Sequence, residues 1–158
     1  MKKHRILAVD DTDMILDGLV EAFGDEYEVV AVTDGASALT AVKKSLPDLI
    51  LLDVVMPEID GYEVLRRLKE DRATSDIPIV FLASLYDDED EVRGLEMGAV
   101  DYIKKPFNPA VVKARVRNYI ELKERRSGLE ATIADRTTEL ENANAALRRY
   151  LHRRSDRD

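Results

Sequence analysis

The sequence predicts an α/β fold: a doubly wound, five-stranded parallel sheet with helices on both faces. Short apolar runs rich in β-branched residues alternate with amphipathic stretches. The predicted strands are Ile6–Val9, Glu28–Val32, Leu49–Leu52, Ile77–Leu82 and Tyr102–Ile103. The predicted helices between them lie near residues 12–23, 35–45, 61–71 and 87–97. Continuous rather than alternating apolar runs are typical of strands buried on both faces, and right-handed crossovers then give a three-layer sandwich.

The fifth predicted helix is far longer than the others. Asn108 and Pro109 form a favourable helix start, because asparagine caps a helix and proline suits its first turn. No further proline and only one glycine follow. We therefore expect one helix from this start to about residue 150. This prediction divides the chain into a domain at 1–120 and a helical coiled-coil extension at 121–158.

A heptad pattern along the fifth helix predicts the coiled coil. Position a holds Val112, Tyr119, Arg126, Ile133, Leu140 and Leu147, and position d holds Arg115, Leu122, Leu129, Arg136, Ala143 and Tyr150. Ile and Leu at a favour two strands, and Arg125 at g has the right offset from Glu130 at e for attraction across a parallel dimer. Arg126 and Arg136 are poor seam residues, so a weak coil is expected. The alternatives are a solitary helix and a helix packed on its own domain.

Charge argues against direct nucleic-acid binding. The net charge is −8, and residues 119–158 hold nine Lys/Arg and eight Asp/Glu, so residues 1–118 carry −9. Nucleic-acid binding needs a basic face, which this acidic body lacks. The basic run near the C-terminus fits the negative end of a helix dipole and is interpreted as solvated; its members are Arg148, Arg149, Arg153 and Arg154.

Other sequence features bear on the compartment. The chain has no cysteine, which excludes disulfides and thiolate metal sites and favours a reducing, cytoplasmic location. No apolar run approaches the roughly 20 residues of a membrane span. The N-terminal apolar run is too short for a signal peptide. We expect no membrane partner.

Acidic residues follow the first and third predicted strands: Asp10, Asp11 and Asp53. These strands are expected to be neighbours where the strand order reverses, so the three carboxylates converge at the carboxyl edge of the sheet. Adjacent anions repel unless a cation lies among them, and an all-oxygen donor set suits Mg²⁺ or Mn²⁺. Such a cation would let a phosphoryl group approach a carboxylate nucleophile and form an acyl phosphate. Lys105, at the end of the fifth strand, adds a positive charge to this edge.

Three motifs together resemble the receiver domain of bacterial response regulators. They are Val9–Asp11, Leu51–Pro57 followed by Asp60-Gly61, and Asp101–Phe107. The resemblance covers residues 4 to about 120. It implies a flavodoxin-like fold with strand order 2-1-3-4-5. It also implies a phosphorylation-dependent switch of a two-component system, with a sensor histidine kinase or phosphotransfer protein as partner.

The same resemblance implies roles for individual residues. Asp53 would accept the phosphoryl group. Asp11, Asp53 and the backbone carbonyl of Val55 would bind Mg²⁺ directly, and Asp10 would act largely through water. Lys105 would pair with the phosphoryl oxygens. The family's aromatic residue that turns inward on activation is matched by Tyr102.

One position departs from the family pattern. The fourth strand normally ends in Thr or Ser, whose hydroxyl reaches a phosphoryl oxygen, but the aligned residue is Ala83. Ser84 follows and should point to the opposite side of the strand. This leaves metal binding and phosphorylation as expected but puts the switching step in question. A one-residue adjustment of the loop would bring Ser84 to the phosphoryl group instead.

Two other functions fit parts of the sequence. A structural dimeriser with a degenerate receiver is suggested by Ala83. A haloacid-dehalogenase-type phosphatase is suggested by Asp11–Ile15, which loosely resembles that family's nucleophile loop, although Asp53 and the Met-Pro turn fit it poorly. We favour a switch without substrate turnover beyond its own phosphorylation and dephosphorylation, whose signal passes to a dimerising C-terminal helix. The segment Arg136–Leu147 resembles helices that join receivers to kinase, cyclase or phosphodiesterase domains. Two outputs are therefore open, a further domain of a longer protein and a stand-alone regulator that acts through its coil.

Overall fold

The computed structural model describes residues 3–84 and 88–156, and it contains a five-stranded sheet and five helices in this part of the chain. The strands are β1 Arg5–Val9, β2 Glu28–Val32, β3 Leu49–Asp53, β4 Ile79–Ser84 and β5 Asp101–Lys105. The helices are α1 Asp13–Phe23, α2 Gly35–Lys44, α3 Gly61–Glu70, α4 Asp88–Glu96 and α5 Pro109–Asp156. All strand pairs are parallel, in the order β2-β1-β3-β4-β5. The predicted fold class, strand order and long C-terminal helix are therefore confirmed.

Four of the five strands have bounds that differ from the prediction. β1 begins one residue earlier, β3 ends one residue later and β4 ends two residues later than predicted. β4 begins at Ile79 rather than Ile77, although the Pro78 carbonyl still accepts the backbone N–H of Ile50 at 3.0 Å. β5 extends beyond Tyr102–Ile103 at both ends, because polar residues flank its short apolar run. The predicted start of the fourth helix, at Asp87, lies outside the described residues.

The core has two layers, one on each face of the sheet. One layer joins α2 and α3 to one face of the sheet and contains Leu52, Phe81 and Tyr102. The other joins α1 and the first turns of α5 to the opposite face and contains Leu19 and Leu51. Every residue of β3 is buried, which is why its apolar run is continuous rather than alternating.

Helix α5 begins within the domain and continues beyond it. The chain divides into two compact units, with the division between Ile120 and Glu121. Val112, Val116 and Ile120 are at most 4% exposed in the α1-side core layer, and Tyr119 packs against it. The heptad assignment of Val112 to the seam is therefore wrong. The apolar stripe of α5 up to Ile120 packs in the domain core. The heptad positions are available for pairing with another helix only beyond Ile120.

Beyond Ile120, α5 carries an exposed apolar stripe. Its members are 53–66% exposed: Leu122, Leu129, Ile133, Leu140, Leu147, Tyr150 and Leu151. The first six occupy heptad positions a or d. Within residues 3–84 and 88–156, no helix combines the length and the apolar character that crossing a membrane requires.

Candidate functional site

Three carboxylates meet at the carboxyl edge of the sheet. Asp10, Asp11 and Asp53 each offer an oxygen, and these oxygens all lie within 4.8 Å of one another. They meet because β1 and β3 are adjacent parallel strands that end at the same level. Asp10 and Asp53 are buried, and Asp11 is exposed. This arrangement could hold a metal ion, with Asp11 on the solvent side.

Both carboxylate oxygens of Asp10 are engaged by the protein. Oδ1 accepts the backbone N–H of Thr12 at 2.9 Å, and Oδ2 accepts a hydrogen bond from Lys105 Nζ at 2.6 Å. Asp10 is 0% exposed, so its negative charge is compensated inside the protein rather than by solvent. Its place in the cluster is to hold Lys105, with less freedom than Asp11 to meet a cation directly.

Lys105 lies between two of the carboxylates. Its Nζ is 2.6 Å from Asp10 Oδ2 and 3.4 Å from Asp53 Oδ1. Burial lowers the pKa of the Lys105 ammonium, but the hydrogen bond to Asp10 and the charge of Asp53 outweigh this and raise the pKa above its usual value. Lys105 is therefore positively charged at neutral pH. It is bonded closely to Asp10 and lies farther from Asp53.

The Asp53 carboxyl has a strongly raised pKa. Burial and the charge of Asp10 raise the pKa of Asp53 to about 6, although the charge of Lys105 lowers it. Three carboxylates and one ammonium leave this edge with a formal charge of −2 when all are ionised. The donor set of carboxylate oxygens and the uncompensated charge both fit a divalent cation.

The loop after Asp53 is held by two glycines. A Cβ on Gly61 would collide with the carbonyl oxygen of Asp53, and the Gly61 N–H donates to the Val54 carbonyl at 2.8 Å. A Cβ on Gly35 would lie 2.7 Å from the carbonyl oxygen of Ile59. The starts of α3 and α2 therefore lie directly against the backbone of the loop between Asp53 and α3.

Within this loop, Val55 and Glu58 have distinct environments. Val55 is 72% exposed, at the position whose carbonyl the resemblance assigns to a metal. Glu58 has φ 67°, a left-handed conformation that is uncommon for residues other than glycine. Asp60 caps α3 by accepting the Glu63 N–H at 2.9 Å.

Ala83 and Ser84 point in different directions at the end of β4. Ala83 is buried in the core layer that also contains Phe81 and Tyr102, whereas Ser84 is exposed and pairs in register with Lys105. The Tyr102 ring is 6% exposed and packs edge-on against Phe81, with 6.3 Å between ring centroids. The side of β4 where the family has a hydroxyl therefore carries only a methyl group, next to an aromatic ring that is already buried.

Asp101 was not among the predicted site residues. Its Oδ1 accepts the backbone N–H of Tyr102 at 2.7 Å, and its Oδ2 accepts hydrogen bonds from Arg115 Nη1 and from the Tyr119 hydroxyl, each at 3.0 Å. The one sequence signal for this contact is that Arg115 and Tyr119 are four residues apart, which places them on one face of α5.

Comparison with known proteins identifies the family. Residues 6–117 match the model of the response regulator receiver domain. A probable transcriptional regulator, ycf27, from Porphyridium aerugineum is 41% identical over 76% of this chain and 49% of its own length. The response regulator PleD from Caulobacter vibrioides is 43% identical over 75% of this chain and 26% of its own length. The crystal structure of a putative response regulator from Chloroflexus aurantiacus matches with a TM-score of 0.72 and 37% identity, covering 76% of this chain and 99% of that one.

The match is to the receiver part of larger proteins. The chain spans about half the length of the ycf27 relative and about a quarter of PleD. The matched region contains the carboxylate cluster, Lys105 and all of the sheet except Arg5, and it ends within α5. This chain therefore belongs to the response regulator receiver domain family, whose members are signalling proteins of two-component systems.

Proposed function

We propose that this chain is a phosphorylation-dependent switch in which Asp53 accepts a phosphoryl group from the phosphohistidine of a sensor histidine kinase or phosphotransfer protein. The observation that carries the proposal is the position of Asp53, which is in the carboxylate cluster and 3.4 Å from Lys105. Asp10 is in the cluster as well, but both of its oxygens are already bonded. A cytoplasmic location, where such kinases present their phosphohistidine, stays a prediction.

The chemistry required is one displacement at phosphorus. A carboxylate oxygen of Asp53 attacks, the phosphorus–nitrogen bond of the donor phosphohistidine breaks, and its electron pair stays on the imidazole nitrogen. With a pKa of about 6, most Asp53 is ionised at pH 7 and is therefore nucleophilic. The Lys105 ammonium is placed to pair with a phosphoryl oxygen as negative charge arrives beside Asp10 and Asp53.

A divalent cation would be held mainly by Asp11 and Asp53. Asp11 is exposed and faces the cluster, and the Val55 carbonyl is the backbone donor expected from the family pattern. Asp10, bonded to Thr12 and Lys105, would reach the ion through water. Bound Mg²⁺, or Mn²⁺, would supply charge that lets two anions approach each other. No part of this proposal requires turnover of an external substrate.

A test of the acceptor uses acetyl phosphate with Mg²⁺, followed by mapping of the hydroxylamine-sensitive adduct. We expect one adduct, on Asp53. It should be lost in Asp53→Asn, and it should form more slowly in Asp11→Ala, whose acceptor is intact but whose cation site is weakened. An adduct of undiminished yield in Asp53→Asn would overturn the assignment.

The second part of the proposal is that the output is a parallel homodimer formed through the C-terminal helix. The support is the exposed stripe beyond Ile120, which repeats at heptad spacing and so complements a second copy of itself. Truncation after Ile120, which keeps the turns of α5 that pack in the receiver core, should leave a folded monomer. An unchanged dimer after truncation, measured by light scattering, would move the interface to the receiver.

Ala83 favours one alternative, a receiver that serves only as a structural dimeriser. The same acceptor experiment separates the two functions. A chain that forms the dimer but no adduct on Asp53 would be a dimeriser, and a chain that forms the adduct would retain the chemistry of a switch.

A further inference from the structure

We propose that the state of Asp53 reaches α5 along strand β5, with Asp101 as the positioning residue that passes it from the strand to the helix. This inference rests on the proposed function and names the internal route by which it would act. Two hydrogen-bonded clusters lie at opposite ends of the five-residue strand β5.

The acceptor end of β5 is Lys105. Its ammonium already bonds Asp10 and lies 3.4 Å from Asp53, so a phosphoryl group on Asp53 would draw it toward a new partner with more charge. Because Lys105 is the last residue of β5, a pull on its side chain acts on the end of the strand. Lys105 is the direct side-chain link between the acceptor and β5 in the described contacts.

The opposite end of β5 is Asp101, four residues away and about 13 Å along an extended strand. One Asp101 oxygen accepts the N–H of Tyr102, and the other accepts Arg115 and the Tyr119 hydroxyl. The same carboxylate thus joins the β5 backbone to two successive turns of α5. A displacement of β5 would therefore move the carboxylate to which both Arg115 and Tyr119 are hydrogen-bonded.

The route through β4 is weaker in this chain. Ala83 offers no hydroxyl to a phosphoryl oxygen, and it lies in the core layer beside Phe81 and Tyr102. Tyr102 is already only 6% exposed and packed on Phe81, so an inward rotation of its ring would bury little further surface. Because β4 offers no hydroxyl to the phosphoryl group, β5, which carries Lys105, provides the connection from Asp53 to α5.

A simpler interpretation is that Asp101 forms only an ordinary surface ion pair, which contributes little. Two observations argue against it. The Asp101 side chain is 18% exposed, and its hydrogen bonds include a backbone N–H and a neutral hydroxyl as well as Arg115. Such contacts fix geometry, which an isolated charge pair in solvent does not.

The chain offers a matched control on the other side of α5. Glu26, in the turn between α1 and β2, accepts hydrogen bonds from Arg117 and forms an ion pair with Lys113 at 3.2 Å. Lys113 and Arg117 are also four residues apart, and they are displaced from Arg115 and Tyr119 by two residues, about 200° around the helix. This second acidic contact holds the same turns of α5, and none of its described hydrogen bonds or ion pairs involves β5.

The experiment compares Tyr119→Phe and Asp101→Asn with Glu26→Gln in the full chain. Backbone amide NMR shifts are recorded with Mg²⁺, before and after addition of beryllofluoride as a phosphoryl mimic. In the unmodified protein we expect shift changes near Lys105 and in the first turns of α5. Tyr119→Phe and Asp101→Asn should keep the change near Lys105 and reduce the α5 change roughly fivefold, the factor for one hydrogen bond of about 1 kcal/mol. Glu26→Gln should leave both changes intact.

The outcomes separate this inference from the proposed function. If Asp53 forms no adduct with acetyl phosphate, the proposed function fails and the route fails with it. If the adduct forms but α5 does not respond in the unmodified protein, or Glu26→Gln weakens the response as much as Asp101→Asn, the route alone is overturned. Tyr119→Phe removes one oxygen atom, so it provides the comparison even if Asp101→Asn destabilises the fold.

Discussion

The two parts of α5 treat their apolar residues in opposite ways. Up to Ile120 the apolar face is covered by the domain, with Val112 and Val116 at 0% exposure. Beyond this point, aliphatic residues at heptad positions are more than half exposed, as in Leu140 at 66%. The first part has its partner within the chain, whereas the second has an apolar stripe that this single chain leaves uncovered. An apolar periodicity therefore predicts a buried face without saying which chain buries it.

The largest effect is expected from truncating one large apolar side chain to alanine in each part of α5. Ile120→Ala should lower the free energy of unfolding of the receiver by about 2–5 kcal/mol, because Ile120 is 4% exposed in its core. Leu140→Ala should leave receiver unfolding unchanged and weaken self-association instead. Urea unfolding and sedimentation of both variants make the comparison, and equal destabilisation of the receiver by both would remove the distinction between the two parts.

The next prediction adds the hydroxyl that the receiver lacks. A hydrogen bond to a charged phosphoryl oxygen is worth roughly 1.5–3 kcal/mol. Losing about 2 kcal/mol of it at Ala83 would reduce the phosphate-driven shift of the switch equilibrium by about thirty-fold. Ala83→Thr should therefore increase the beryllofluoride-induced NMR changes around Tyr102 and the start of β5.

Ala83→Val is the control for Ala83→Thr, because it adds the same bulk to a buried position without the hydroxyl. If the beryllofluoride-induced NMR changes of the unmodified protein are already as large as those of Ala83→Thr, then Ser84 or a backbone amide makes the contact with the phosphoryl oxygen. The departure from the family pattern would then be neutral for switching.

A third prediction concerns the uncompensated charge of the acceptor edge. The folded pKa of Asp53, about 6, lies above the usual value of about 3.9 for an unfolded aspartate. The folded state thus binds more protons between these values. Without metal, the contribution of Asp53 to stability is present below about pH 4 and is lost as pH rises through about 6, by up to about 3 kcal/mol.

Asp53→Asn should remove this part of the pH dependence, and Mg²⁺ should suppress it in the unmodified protein by favouring the ionised carboxylate. The measurement is urea unfolding across this pH range, with EDTA and then with Mg²⁺. An identical pH slope in Asp53→Asn would show that the acidity of Asp53 is not coupled to folding.

The smallest expected effect is at Glu58 in the acceptor loop. Its left-handed conformation disfavours a residue with a long side chain, whereas asparagine tolerates it. Glu58→Asn should raise the free energy of unfolding by about 0.5–1 kcal/mol. Glu58→Gln removes the charge but keeps the conformational cost, so it should be neutral; an equal gain from Glu58→Gln would assign the effect to charge.

The sequence was sufficient for the sheet and for the meeting of the carboxylates. Buried parallel strands leave continuous apolar runs, and the residues that follow them must share one edge, which brought Asp10 and Asp53 together. The sequence was insufficient for Val112, because a coiled-coil seam and a domain-facing stripe have nearly the same period. The contacts of Asp101 could not be predicted from the sequence, because its helix partners lie 14 and 18 residues away. Glu58 gave no signal because its conformation usually selects glycine.

The central claim is that one chain takes a phosphoryl group on Asp53 and passes this state to a helix paired with a second copy. Because the chain has no cysteine, Leu140→Cys places a single thiol in the seam, and Glu141→Cys places one outside it as a control. We predict rapid disulfide cross-linking between two copies at position 140, slow cross-linking at 141, and a rate at 140 that changes with beryllofluoride and Mg²⁺ unless Asp53→Asn is also present. Equal rates at 140 and 141, or a rate at 140 that ignores beryllofluoride, would contradict the account.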